Sequence, residues 1–344
     1  MHRHIIFLLL CAALASQVSC HQQQKSAAEL GKIVLNVVVS PKNGPPVSGL
    51  QQQDFTVLDN KASQTITSFA AVDGRQAPIE IVIVIDAVNI GYQNVAFQRE
   101  EIDKFLRMDG GHLAYPTALA VSTDKGIEMQ PDLSRDGNAL STALDQSSIG
   151  LRDIRRSAGF YGADERLGIS LRSFQQLAAQ ESTKPGRKII LWVSPGWPLL
   201  SGPGVQATLD DKQEQQIFSE IQDISTSLRQ GHITLDSIDP LGAADIGART
   251  YWESFLKPVI KPSQALPGNL ALQVLASQSG GLVLNSSNDV AAQLQKCIAD
   301  VGTYYEISYD QPRADQPRQF HQVEIRLAKK GLIARTIQGY YALP

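Results

Sequence analysis

The sequence predicts a mixed α/β protein: a doubly wound, mostly parallel sheet, plus a small β-sandwich-like module built from strands at the two chain ends. Three observations lead there. Residues 79–91, IEIVIVIDAVNIG, form an apolar run rich in β-branched residues that ends on Asp86, the pattern of a strand buried on both faces at the centre of a parallel sheet. Strand and helix patterns alternate from residue 78 to 303, which right-handed crossovers turn into a sheet covered on both sides. Strand-and-turn patterns alone flank that region, and neither flank has enough strands to bury a face by itself.

The expected organisation is a signal peptide over 1–20, a polar linker over 21–31, an N-terminal β-unit over 32–77, the α/β domain over 78–303, and C-terminal strands over 304–344 that pack with the N-terminal unit. The first twenty residues, MHRHIIFLLLCAALASQVSC, have a basic start, an apolar stretch and small residues at Ala13 and Ala15, which reads as a secretory signal. Two outcomes compete: cleavage after Ala15, or lipid attachment at Cys20. The expected location is therefore secreted or periplasmic, with a membrane link only through such an anchor.

From residue 32 the strand patterns are IVLNVVVS, DFTVLDN and QTITSFAAV, with the turn PKNGPP after the first. Within the α/β region the order is strand IEIVIVI, helix YQNVAFQREEIDKFLRM, strands TALAVST and IEMQPDL, and helices GNALSTALDQ and DERLGISLRSFQQLAAQE. There follow strand KIILWVS, helix DDKQEQQIFSEIQDISTSLRQ, strand ITLDSID, helix NLALQVLASQS, strand GLVLNS and helix DVAAQLQKCIADV. Strands YYEISYD, HQVEIRLAKK and ARTIQGYYAL close the chain. Two long loops, 195–209 and 240–268, follow strands at their carboxyl ends and so share a rim with Asp86, where open α/β sheets place ligands.

This arrangement resembles the von Willebrand factor type A domain, and specifically the type A related family described from acidobacteria. The resemblance runs through VSGLQQQDFTVLDNKASQTITSFAAV, IVIVIDAV, KIILWVSPG, ITLDSID, LQVLASQSGG and the final QGYYAL, nearly the whole mature chain. It implies a Rossmann-like sheet with a recognition site at its top edge. Such domains often hold Mg²⁺ on an Asp-x-Ser-x-Ser motif with a loop Thr and a second Asp, because Mg²⁺ takes about six oxygens in octahedral array. Here Asp86 is followed by Val88 and Ile90 at the two serine positions, and Ser194-Pro195-Gly196 offers no carboxylate. The site is expected to be degenerate and metal-free, with Asp86, Asn89 and Ser194 as vestigial ligands and Asp86 capped by backbone N–H groups.

Other chemistry is sparse. The 31 basic and 34 acidic residues nearly balance, with no Lys/Arg block longer than two, so nucleic-acid binding is not indicated. Cysteines are too few for a disulfide framework, and Cys297 reads as a small core residue. His112, His232 and His321 each stand alone beside a strand start, without zinc spacing. The carboxylates Asp210 and Asp211 open a helix, where negative charge is favoured. The rim loops instead carry apolar side chains, Trp197, Leu199, Leu200, Tyr251, Trp252 and Phe255, which suit either a protein-binding face or the loops' own core. The leading reading is an adhesion or scaffold module that uses no cofactor, is not an enzyme, and binds a protein partner through an exposed rim. The alternative is Mg²⁺-dependent adhesion at Asp86; a third reading, a hydrolase, lacks a nucleophile-base pair at the strand ends.

Overall fold

The computed structural model describes residues 31–42, 44–146, 159–202, 209–242 and 250–343. The signal segment, its Cys20 and the linker up to residue 30 lie outside the described residues. The amino-terminal elements are β1 (Lys32–Pro41), β2 (Phe55–Asp59), β3 (Ala62–Gln64) and β4 (Ile66–Asp73). The middle of the chain supplies β5 (Ile79–Asp86), α1 (Tyr92–Arg107), β6 (His112–Thr123), β7 (Gly126–Met129), β8 (Ser134–Asp136), α2 (Gly137–Gln146) and α3 (Phe160–Ser182). It continues with β9 (Arg187–Val193), α4 (Asp211–Gln230), β10 (Ile233–Ile238), α5 (Leu272–Gln278), β11 (Val283–Leu284) and α6 (Val290–Asp300). The chain closes with β12 (Thr303–Asp310), β13 (Phe320–Leu327), β14 (Leu332–Arg335) and β15 (Gly339–Tyr341). Among the described residues no helix is long and apolar enough to cross a membrane.

The central sheet runs β11-β10-β9-β5-β6-β7, with β8 also on β6. The five strands from β11 to β6 are mutually parallel, and β7 and β8 are antiparallel to β6. Alternate residues of the inner strands feed two cores, as period-2 geometry requires. Ile81, Ile83 and Ile85 join Leu191 and Val193 beneath α1, α2 and α6, whereas Val82 and Val84 join Ile190 and Trp192 beneath α3, α4 and α5. The chain leaves β5 toward β6 on one side and later enters β9 on the other. This reversal between neighbouring strands puts the crevice at the carboxyl ends of β5 and β9, where Asp86 and Ser194 lie.

Two antiparallel four-stranded sheets, β14-β1-β12-β4 and β15-β13-β2-β3, enclose a third core. Its members come from both chain ends: Ile33, Leu35 and Val37 with Tyr305, Ile307 and Tyr309, against Phe55, Val57 and Val323. The pattern ARTIQGYYAL, expected as one strand, is divided. β14 pairs with β1 in one sheet and β15 with β13 in the other, since one straight strand can close only one sheet edge. The outer face of the β1-β12 sheet supplies Val38 and Tyr304 to the central sheet's own core.

Candidate functional site

Asp86 is the last residue of β5 and is fully buried. Its Oδ1 accepts the backbone N–H groups of Val88 (2.8 Å) and Asn89 (3.0 Å). Its Oδ2 accepts the Asn89 side-chain amide (2.9 Å) and the Trp192 indole N–H (3.2 Å). Four donors thus occupy the carboxylate, and the Asn89 amide is itself tied to Ser170 Oγ on α3 at 2.8 Å. Val88 and Ile90 are buried, Ile90 within the core under α1. Ser194 is buried and its Oγ accepts the Gly196 N–H at 3.2 Å. The residues present are a poor fit for Mg²⁺, which takes about six oxygens: each Asp86 oxygen already accepts two protein N–H groups and alkyl side chains stand at Val88 and Ile90, which leaves Asn89 Oδ1 without a hydrogen-bond partner. Among the described residues no group of three or more His, Cys, Asp or Glu could hold a metal ion.

The six apolar rim residues do not form the expected exposed face. Trp197 is 3% exposed and Trp252 7%, and Leu200 and Phe255 are also buried. Trp197 turns inward onto Trp192, ring centroids 5.3 Å apart and nearly perpendicular, and onto Phe174. It therefore covers the indole that holds Asp86. Trp252 and Phe255 form a local core with Ala271 and Val274, with Leu199 and Tyr251 packed against it. The physical reason is that loops this long require a core of their own to stay ordered. Short helical turns at Tyr251–Phe255, Pro262–Gln264 and Pro267–Leu270 divide the second loop, and Gln273 Nε2, on α5, donates to Pro195 O (3.2 Å), tying the first loop to the helix that follows the second. Residues 203–208 and 243–249 of these loops lie outside the described residues.

What stays outside was not anticipated. Phe160 (46% exposed) and Tyr161 (86% exposed) open α3, their rings edge-on at 6.1 Å. Because α3 leads into β9, its first turn lies toward the same rim as Asp86. The signal in the sequence was two adjacent aromatics between Gly159 and Gly162.

His321 also departs from expectation, since it does not stand alone. It is buried in β13, with Nδ1 2.7 Å from Asp59 Oδ1 and its ring stacked on Tyr340. Tyr309 and Tyr340 donate their hydroxyls to Asp59 Oδ2 (3.0 and 2.6 Å). Burial pushes both phenols well above the usual range, reinforced by the Asp59 carboxylate. They remain protonated donors, and the cluster pins β2, β12, β13 and β15 together across the sandwich.

No protein-family model matches the chain, and neither does any curated protein. Among solved structures the chain is similar to the human COPII-coat protein Sec24c, with a TM-score of 0.38 and 11% identity over 78% of this chain and 44% of that one. It is also similar to the manganese-loaded TRAP protein of Plasmodium vivax (TM-score 0.33, 10% identity, 80% of this chain and 98% of that one). A third is the pilus adhesin SpaC of Lactobacillus rhamnosus GG (TM-score 0.36, 11% identity, 87% and 49%). The chain spans about half the length of the Sec24c and SpaC chains. At these TM-scores the likenesses carry no argument about function.

Proposed function

We propose that the protein is an extracytoplasmic, non-catalytic recognition module of the von Willebrand type A kind, whose strand-end crevice is closed by its own side chains and works without a metal ion. The observation that carries this reading is the saturated Asp86 carboxylate. Adhesion through Mg²⁺ at Asp86, Asn89 and Ser194 would require removing hydrogen bonds from a fully buried group, and no hydroxyl stands at Val88 or Ile90 to replace them. The signal-like amino terminus supports the location. Partner contact falls to the aromatics that remain in solvent, Phe160 and Tyr161, since exposed aromatic anchors carry much of the energy of protein interfaces.

Affinity capture from cell-envelope extracts tests the reading, with the wild type in EDTA, the wild type in Mg²⁺, and a Phe160→Ser/Tyr161→Ser variant. A partner kept in EDTA and lost with the double variant is the expected result. Recovery only in Mg²⁺ would return the function to a metal-dependent site, and undiminished recovery by the double variant would rule out the α3 aromatics.

A further inference from the structure

Of the strands that end the three sheets, all but one are short: β3, β7, β11, β14 and β15 have two to four residues. β4 has eight, Ile66–Asp73. Among the described residues it pairs with β12 on one side and with no strand on the other. Its side chains leave that edge open, since Thr67, Ser68, Ala70 and Ala71 are small and exposed. A long bare edge presents a row of backbone N–H and C=O groups to any passing strand, and folded proteins blunt such edges with lysine, proline or bulges. β4 has neither lysine nor proline, and Asp73 at its end is its one charge. A register shift falls at its start, where Ile66 and Ser68 face Tyr309 and Ser308, so the bulge leaves Ser68 to Asp73 regular.

We infer that β4 pairs antiparallel with β4 of a second copy of this chain, about a two-fold axis at Ala70, joining the two β14-β1-β12-β4 sheets into one across a homodimer. The strand's own sequence selects this occupant and this register. With Ala70 opposite Ala70, Phe69 meets Ala71 and Ser68 meets Val72, each twice by symmetry, so every large side chain faces a small one. Phe69 is half-buried against the sandwich core and Val72 against the core of the α/β layer, and the opposing Ala71 and Ser68 cover what each leaves in solvent. Moving the axis to Phe69 sets the two phenylalanines against each other, and moving it to Ala71 sets Phe69 against the Asp73 carboxylate. With the axis at Ala70 the two Asp73 carboxylates lie at opposite ends of the pair, roughly 20 Å apart.

A cleft of about 500 Å³ lies at the carboxyl end of β4, lined by Ala71, Val72, Asp73 and Arg75 with Pro45 and Pro46. An antiparallel partner reaches this end with its own amino end, which brings the second copy's Thr65 and Ile66 alongside Gly74 and Arg75. The strand pair alone is small against the roughly 1,200 Å² of a specific interface, and the two clefts, one on each copy, enlarge it. The pairing is isologous and uses both free edges, so it closes at two chains and does not propagate. It is independent of the reading given for Asp86 and for the α3 aromatics.

Sedimentation velocity of the full chain and of its Ala70→Lys variant is the test. Ala70 is exposed, so the substitution spares the fold of each copy while setting two lysines opposite each other at the axis. A wild-type dimer with a dissociation constant of about 10 µM, weakened at least about tenfold by Ala70→Lys, is expected. Cross-linking reads the register and keeps the inference testable should Ala70→Lys fail to fold. Cys297 is buried, so in a Cys20→Ser background a short bis-maleimide couples Ala70→Cys into a covalent dimer. It leaves Thr67→Cys monomeric, because the two Thr67 positions stand roughly 20 Å apart. A wild type that stays monomeric at about 100 µM, an unweakened Ala70→Lys dimer, or equal cross-linking at both positions would overturn the inference.

Discussion

Asp86 occupies the position of a metal ligand and behaves as a clamp. A carboxylate that accepts two hydrogen bonds on each oxygen is a strong hydrogen-bond hub, and here it fixes the β5–α1 turn through Val88 and Asn89, α3 through the Asn89–Ser170 link, and β9 through Trp192. Asp86→Ala leaves at least two fully buried donors without partners, at about 1–3 kcal/mol each. A loss of about 3–5 kcal/mol in urea unfolding is the expected outcome; a loss below about 1 kcal/mol would show that the clamp contributes little. The sequence contained the position of this residue and the apolar character of Val88 and Ile90. It did not contain the Trp192 contact, because period 2 assigns that indole to a face but says nothing of which polar atom its N–H will reach. Trp197 and Trp252 show the same limit. Aromatics among prolines look alike whether a loop folds over its own side chains or displays them, and only the three-dimensional path of the loop decides between the two.

The strands of the central sheet were readable from β5, β9 and β10 because burial on both faces leaves no polar alternation to misread. β14 and β15 were not, since nothing in ARTIQGYYAL marks where the chain passes from one sheet to the other. A strand can also hide its electrostatics inside an ordinary pattern, and β10 does. Asp236 is buried in mid-strand, its Oδ1 accepting the Leu282 N–H at 2.7 Å, with Cys297 of α6, Asp300 and Arg335 around it. Burial raises its pKa from 3.8 to about 6. Between about pH 4 and pH 6 the folded state therefore holds a proton that the unfolded chain has released, so stability declines as pH rises across that window. Above it, the unfavourable term reaches about 3 kcal/mol. Asp236→Asn keeps the carbonyl acceptor for Leu282 and removes the titration. Relative to the wild type it is expected to gain about 3 kcal/mol between about pH 4 and pH 7 in denaturant unfolding followed across pH. A difference that does not change with pH would place the Asp236 ionisation outside this account.

The two chain ends are bound into one cooperative body with the layer between them. β1 pairs residues 32–37 with 305–310 of β12, so the sandwich core of Ile33, Leu35, Tyr305 and Ile307 cannot form until both termini are present. The same two strands turn their other face to the α/β layer, where Val38 and Tyr304 share a core with Ile79, Ile81 and Val301. Domains joined by small polar interfaces open independently, but here the apolar core is continuous from β12 through the sheet to α6. Native-state hydrogen exchange is the measurement that separates the two behaviours. Slowly exchanging amides of β1 and β12 are expected to open with the same free energy as those of β5 and β9, in one global unfolding step. Were the β1 and β12 amides to exchange through an opening lower by about 2 kcal/mol or more, the sandwich would be a separately unfolding appendage, and the shared core around Val38 and Tyr304 would not be what joins them.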